Sequence, residues 1–120
     1  MLIADDHPVM RQRLKRLLVE GFPSAFVAEA EDTDSLVNEA LENEWDIIIT
    51  DLAMPGGGGL HALKKIKQHK PSLSVLIIST YPEEQYAMRV VSAGAAAFFN
   101  KLKADNDLVK TVQDILEQPK

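Results

Sequence analysis

The sequence contains no cysteine. This absence excludes disulfide bonds, thiolate metal sites and a cysteine nucleophile. Long apolar runs are also missing, because the longest ones, at 75–78 and 95–99, fall far short of the ~20 residues that a membrane-spanning helix needs. No signal peptide is visible at the start of the sequence. We therefore expect a globular cytoplasmic protein that does not contact a membrane.

Positive charge is scarce in the first half of the chain. Residues 1–60 carry 4 Lys/Arg and 12 Asp/Glu, a net charge of −8, whereas residues 61–120 carry 9 and 6, a net charge of +3. An acidic surface gains no counterion-release affinity for nucleic acid, so we do not expect these residues to bind DNA themselves. A concentration of carboxylates does attract a hard divalent cation.

Hydrophobic periodicity predicts five strands that alternate with five helices in one domain. Strands are predicted at 1–5, 26–30, 46–51, 75–79 and 96–100, with helices at about 8–21, 33–43, 60–70, 83–94 and 105–117. The third and fourth strands are apolar runs without polar alternation, which is typical of strands buried on both faces. The pattern predicts an α/β fold, in which helices cover both faces of a parallel sheet.

Polar side chains recur at the ends of these predicted strands. Asp5 and Asp6 end the first strand, Asp51 the third, Ser79 the fourth and Lys101 the fifth. In a parallel sheet these ends share one edge, where ligands bind. Three carboxylates there would repel one another unless a cation such as Mg²⁺ intervened. A carboxylate can also be the nucleophile that forms an aspartyl phosphate, while the metal, a lysine and a hydroxyl neutralise the phosphoryl oxygens.

Each of these residues has an ordinary interpretation when it is taken alone. An Asp pair is usually a turn or a helix cap, Ser79 could cap the following helix, and Lys101 could be a surface lysine. Their joint placement at successive strand ends favours a site. The four glycines at 56–59 lack the Lys-Ser/Thr of a P-loop and predict a flexible turn. We expect His7 to be exposed and Trp45 to serve packing.

Four segments together resemble the receiver domain of two-component response regulators. They are Ile-Ala-Asp-Asp-His-Pro at 3–8, Ile-Ile-Thr-Asp-Leu-Ala-Met-Pro-Gly at 48–56, Leu-Ile-Ile-Ser at 76–79 and Gly-Ala-Ala-Ala-Phe-Phe-Asn-Lys at 94–101. The chain is most similar to the NarL/FixJ-like subfamily, whose members have a LuxR-type output domain. The resemblance implies a flavodoxin-like (βα)5 domain over 1–117 with strand order 2-1-3-4-5. Residues 118–120 would begin a linker to an absent output domain.

The resemblance also implies a role for each matching residue. Asp51 corresponds to the phosphoacceptor. Mg²⁺ would be held directly by Asp6, through water by Asp5, and by Asp51 and the backbone carbonyl of Ala53. The other roles fall to residues of the fourth and fifth strands: Ser79 and Lys101 would contact the phosphoryl group, and Ser79 and Phe98 would form the switch.

The implied partner is a sensor histidine kinase. A homodimer through the surface of the fourth helix, fifth strand and fifth helix, or through the first and fifth helices, is also implied. DNA would be reached only through the output domain. The domain would be a signalling phosphoacceptor, whose only chemistry is its own phosphorylation and dephosphorylation.

The sequence departs from the family pattern at several positions. The first strand is short, Leu102 replaces the proline common after Lys101, Phe98 replaces the more frequent tyrosine, and Ala53 cannot steer water with its side chain. Three alternatives stay open: a flavodoxin-like flavin binder, a degenerate receiver that only binds proteins, and a hydrolase with an aspartate nucleophile. A single-domain phosphorelay element is the alternative to a receiver whose output domain was removed.

Overall fold

Five strands alternate with five helices in the computed structural model, which describes residues 1–79, 83–100 and 105–117. The strands are β1 (Leu2–Ala4), β2 (Ala28–Ala30), β3 (Ile47–Asp51), β4 (Ser74–Ser79) and β5 (Ala97–Asn100). The helices are α1 (Pro8–Gly21), α2 (Thr33–Glu42), α3 (Gly58–His69), α4 (Glu83–Ser92) and α5 (Asp105–Glu117). Over these residues, no helix is both long enough and apolar enough to cross a bilayer.

All strands pair in parallel in one sheet of order β2-β1-β3-β4-β5, which confirms the expected fold. Strand β2 pairs with one edge of β1, and β3 pairs with the opposite edge of β1. The strand order therefore reverses between β1 and β3. A crevice forms at such a point, outside the carboxyl ends of the two strands.

Two apolar clusters bury the two faces of the sheet. Side chains alternate along a strand, so Ile48 joins one cluster, while Ile47 and Ile49 join the other. The first cluster contains residues of α2, α3 and α4: Leu36, Ala40, Ala62, Leu63, Ile66 and Val90. The second contains residues of α1 and α5: Leu14, Leu18, Leu108 and Val112. The prediction of helices on both faces is thus confirmed.

Strand β2 is shorter than predicted. It begins at Ala28, and Phe26 precedes it with 74% of the residue exposed, although the Phe26 carbonyl still accepts from the Met1 N-terminus at 2.6 Å. The ring stacks on Trp45, with the centroids 6.3 Å apart, and the Trp45 Nε1–H donates to the Glu39 carbonyl at 2.8 Å. Trp45 also packs against the first apolar cluster, so its predicted role in packing is confirmed.

Candidate functional site

Three carboxylates meet at the crevice between β1 and β3. Asp5 and Asp6 directly follow β1, and Asp51 is the last residue of β3, whose Thr50 is the register partner of Ala4. One ligand atom from each carboxylate, together with one from His7, lies within 4.8 Å of the others. Asp5 and Asp51 are buried, with 0% and 3% exposure, while Asp6 is partly exposed. The expected convergence of these three acids is present.

His7 is the fourth member of this cluster, although its place beside the acids at a helix start predicts an exposed residue more readily than a ligand. As expected, its side chain is largely exposed, at 64%. Its Nδ1 nevertheless lies 3.1 Å from Asp5 Oδ1, 3.2 Å from Asp6 Oδ1 and 4.0 Å from Asp51 Oδ2. Its backbone N–H donates to Asp5 Oδ1 at 2.8 Å. The feature of the sequence that could have indicated this contact is the position of His7 directly after the Asp pair, as the N-cap of α1.

The turn after Asp51 is tied to both neighbouring elements. The Leu52 N–H donates to the Ile78 carbonyl at 2.9 Å, which extends the β3–β4 ladder beyond the end of β3. The N–H of Ala53 approaches Asp51 Oδ1 at 3.4 Å, a long hydrogen bond that points the Asp51 carboxylate toward its own turn. Ala53 itself is exposed at the mouth of the crevice.

The glycine run contains a turn at 56 and 57, as predicted, while Gly58 and Gly59 already belong to α3 and pack closely against the backbone after Asp51. A side chain at Gly59 would collide with the carbonyl oxygen of Asp51. The N–H of Gly59 donates to the Leu52 carbonyl at 2.8 Å, and that of Gly58 donates to Thr33 Oγ1 at 3.0 Å. Gly58 adopts φ +85°, which favours glycine. The run thus brings the start of α3 directly under the backbone of Asp51.

The remaining predicted residues lie on β4 and β5 or outside the described part of the chain. Ser79 ends β4 with 1% exposure and follows Ile78, the register partner of Asp51, so it lies at the same sheet edge one strand away. Phe98 is a half-buried residue of β5 that packs against the first apolar cluster. Lys101 and residues 118–120 lie outside the described residues.

The donor set fits a hard divalent cation. Three carboxylates within 4.8 Å supply anionic oxygen ligands and a negative charge whose internal repulsion a cation would offset. Mg²⁺ prefers such ligands and is commonly held by one or two carboxylates, with water and phosphate oxygens completing its coordination. The residues present therefore suit Mg²⁺, with a phosphate group as the additional ligand.

Residues 1–113 match the family described as "Response regulator receiver domain". The chain is 32% identical over 117 residues to the glycerol metabolism activator of Pseudomonas putida, covering 97% of this chain and 53% of the relative. The chain thus spans about half the length of the curated relatives it matches.

Solved structures agree with this match. A LuxR-family two-component response regulator from Aurantimonas sp. SI85-9A1 superposes with a TM-score of 0.87 at 33% identity, covering 96% of this chain and 82% of the other. The signal receiver domain of the putative response regulator NarL from Mycobacterium tuberculosis superposes with a TM-score of 0.89 at 26% identity, covering 98% and 95% of the two chains. Both similarities extend over nearly all of the present chain.

Proposed function

Because the chain belongs to the response regulator receiver domain family, we propose that it accepts a phosphoryl group from a sensor histidine kinase on Asp51 in a Mg²⁺-dependent reaction. The observation that carries the proposal is the position of Asp51. Its carboxylate is nearly buried, ends a central strand, and lies beside Asp5 and Asp6. The proposal includes a cytoplasmic location.

In this reaction, a carboxylate oxygen of Asp51 attacks the phosphorus atom, and the bond from phosphorus to the donor's leaving atom breaks. The product is an acyl phosphate on Asp51. The Ala53 N–H, at 3.4 Å from Oδ1, restrains the orientation of the carboxylate. Ser79 lies at the end of the adjacent strand. Its hydroxyl and the Lys101 ammonium would donate hydrogen bonds to the phosphoryl oxygens.

Asp6 would hold Mg²⁺ directly and Asp5 through water, with Asp51 and the Ala53 carbonyl as further ligands. When bound, the ion supplies positive charge that offsets the charge on the phosphoryl oxygens. The burial of Asp5 and Asp51 supports this role, since charges attract more strongly where water is excluded.

The output of the switch would be a changed surface on α4, β5 and α5. Ser79 and Phe98 lie on adjacent paired strands, β4 and β5, so a movement of Ser79 toward a phosphoryl group would reach Phe98 through the sheet. Large apolar side chains are exposed on α4, with 80% exposure at Met88 and 54% at Val91. Exposed apolar side chains on one helix favour protein contact, with a partner or with a second copy of the chain. The surface of α1 and α5 is the alternative for a homodimer.

The whole protein would bind DNA through an output domain that these residues do not include. The support is the length of the relatives, about half of which this chain spans, and the similarity to a LuxR-family regulator. The acidic character of residues 1–60 agrees with a domain that leaves DNA contact to another part of the protein.

Intact mass spectrometry after incubation with acetyl phosphate tests the acceptor assignment. We expect the wild type to gain one phosphoryl group in the presence of Mg²⁺ and none in EDTA, and Asp51→Asn to gain none in either. Asp34→Asn is the matched control, because it removes the same charge from an exposed position on α2. If no sample gains mass, the chain is a degenerate receiver, and a gain on Asp51→Asn would place the acceptor elsewhere.

A further inference from the structure

The Asp5–Asp6 peptide lies beyond the end of β1, and other contacts fix its orientation. The Asp5 N–H donates to the Ala30 carbonyl at 3.1 Å, which extends the pairing with β2. On the other side of the residue, the Asp5 carbonyl accepts from Arg11 Nη1 at 2.8 Å. A peptide unit is planar, so an anchored Asp5 carbonyl also sets the direction in which Asp6 leaves the strand. Arg11 thus restrains the backbone of both acids.

Arg11 is itself restrained by the edge strand. Its Nε donates to Glu29 Oε1 at 3.1 Å, and Glu29 faces Ile3 across the β1–β2 pair. Gln12 Nε2 and Lys15 Nζ also donate to the Glu29 carboxylate, at 2.9 and 3.2 Å. Burial alone would raise the pKa of Glu29, but the hydrogen bonds and charges of Lys15 and Arg11 outweigh it and hold the pKa below its ordinary value. The carboxylate that positions Arg11 therefore stays ionised at neutral pH.

This pair of contacts requires a guanidinium group. Its N–H donors lie in one rigid plane, so Nε can donate to Glu29 while Nη1 donates to the Asp5 carbonyl. A lysine ammonium is a single centre on a flexible chain and cannot reproduce both directions at once. The side chain of Arg11 is only 15% exposed, which limits its freedom to leave this arrangement.

The charge of Arg11 opposes the presence of a cation nearby. A positive side chain beside a metal site repels the metal, so an arginine that acted by charge alone would weaken metal binding, and its removal would tighten binding. Loss of a positioning contact has the opposite effect, because the ligands are then less well oriented. The direction of the change in metal affinity therefore separates the two roles.

We infer that Arg11 is a positioning residue of the metal site, which acts through the Asp5 carbonyl and connects the site to Glu29 on the edge strand. This inference rests on the proposed Mg²⁺-dependent function. It adds to the site a residue from α1 that contacts neither the metal nor the phosphoryl group.

Isothermal titration calorimetry with MgCl₂ tests the inference on the wild type and three variants. We expect Arg11→Gln to raise the Mg²⁺ dissociation constant about tenfold, as losses of outer contacts to metal ligands do. Arg11→Lys should lie between the wild type and Arg11→Gln, since it keeps one donor. Arg16→Gln is the control, because Arg16 is an exposed residue of the same helix and its loss removes the same charge.

A second readout follows the backbone without metal. In ¹H–¹⁵N spectra of the metal-free proteins, the Asp6 amide resonance should shift in Arg11→Gln while the resonances of α5 stay in place. The same spectrum reports whether each variant is folded. If Arg11→Gln does not fold, the comparison is made with Arg11→Lys.

The possible failures are distinct. If the wild type binds Mg²⁺ and Arg11→Gln binds it as tightly as Arg16→Gln, or more tightly, the inference is wrong and the proposed function stands. If the wild type itself does not bind Mg²⁺, the proposed metal dependence is wrong, and the inference falls with it.

Discussion

Asp51 belongs to a cluster of three carboxylates, and like charges at such distances repel one another. Asp51 is 3% exposed, and one of its carboxylate oxygens lies within 4.8 Å of a carboxylate oxygen of Asp5 and of Asp6. We expect Asp51→Asn to raise the free energy of unfolding in EDTA by on the order of 1 kcal/mol, because one of three repelling charges is removed. Saturating Mg²⁺ should stabilise the wild type more than the variant and reduce this difference. Urea denaturation measures both effects.

The control for this prediction is Asp34→Asn, which removes an exposed acid and should not respond to Mg²⁺. An Asp51→Asn protein that is less stable than the wild type in EDTA would contradict the prediction. It would mean that the attractive contacts of the carboxylate exceed its repulsion.

At the scale of residues, the sequence predicted the acids of the site but not their supports. Asp5, Asp6 and Asp51 were identified because strand ends in a parallel sheet converge, which follows from the strand pattern alone. The contact of His7 Nδ1 with Asp5 depends on a side-chain rotamer at a helix N-cap. Hydrophobic periodicity does not encode rotamers. The contact of Arg11 with the Asp5 carbonyl also requires the three-dimensional path of α1.

Among the elements, α2 and α3 are joined by one buried hydroxyl. Thr33, the first residue of α2, is fully buried, and its Oγ1 accepts from the N–H of Gly58, the first residue of α3. We expect Thr33→Val to lower the free energy of unfolding by about 1–3 kcal/mol, because the isosteric side chain leaves that N–H without an acceptor. Thr33→Ser keeps the acceptor oxygen and should recover most of the loss. Urea denaturation at neutral pH measures both.

A loss in Thr33→Ser as large as that in Thr33→Val would contradict this prediction, since the acceptor oxygen that serine keeps would then recover no stability. The glycine turn offers a further readout. If Thr33 holds that turn in place, Thr33→Val should also shift the amide resonances of Gly58 and Gly59, while Thr33→Ser should leave them near their wild-type positions.

The elements themselves were predicted to within a few residues where side-chain pattern decides the outcome. Strands β3 and β4 consist mainly of β-branched and other apolar residues buried on both faces, and their bounds differ from the prediction by one residue. Strand β2 begins two residues later than predicted, and the ring of Phe26, which lies before it, stacks on Trp45, a partner that is distant in sequence. Helix α3 begins earlier than its apolar spacing indicates, since glycines 58 and 59 can approach the backbone of 51 and 52.

For the whole molecule, one sheet connects two apolar clusters that do not share residues. Leu36 belongs to the cluster on the side of α2, and Leu108 to the cluster on the side of α5, and both are fully buried. We expect Leu36→Ala and Leu108→Ala each to lower the free energy of unfolding by about 2–5 kcal/mol. Because the sheet belongs to both faces, each variant should unfold in a single cooperative transition.

Trp45, the single tryptophan, makes this prediction testable, because it packs against the cluster that does not contain Leu108. Urea denaturation is followed by Trp45 fluorescence and by far-ultraviolet circular dichroism. Within each variant, the two probes should give the same unfolding midpoint. A Leu108→Ala protein whose fluorescence midpoint stays at the wild-type value, while the dichroism midpoint falls, would show that the two faces unfold independently.

The path of the chain from β2 to β3 also affects the kinetics of folding and unfolding. Asp5 and Asp51 are separated in the chain by α1, β2 and α2, and they become neighbours only when β3 pairs with β1. Such long-range pairings form late, because the entropy cost of closing the loop precedes the favourable energy of the contact. A cation that needs both carboxylates therefore finds no binding site on the nascent chain or on an early collapsed state. It would slow the unfolding of the finished domain and leave the rate of folding unchanged.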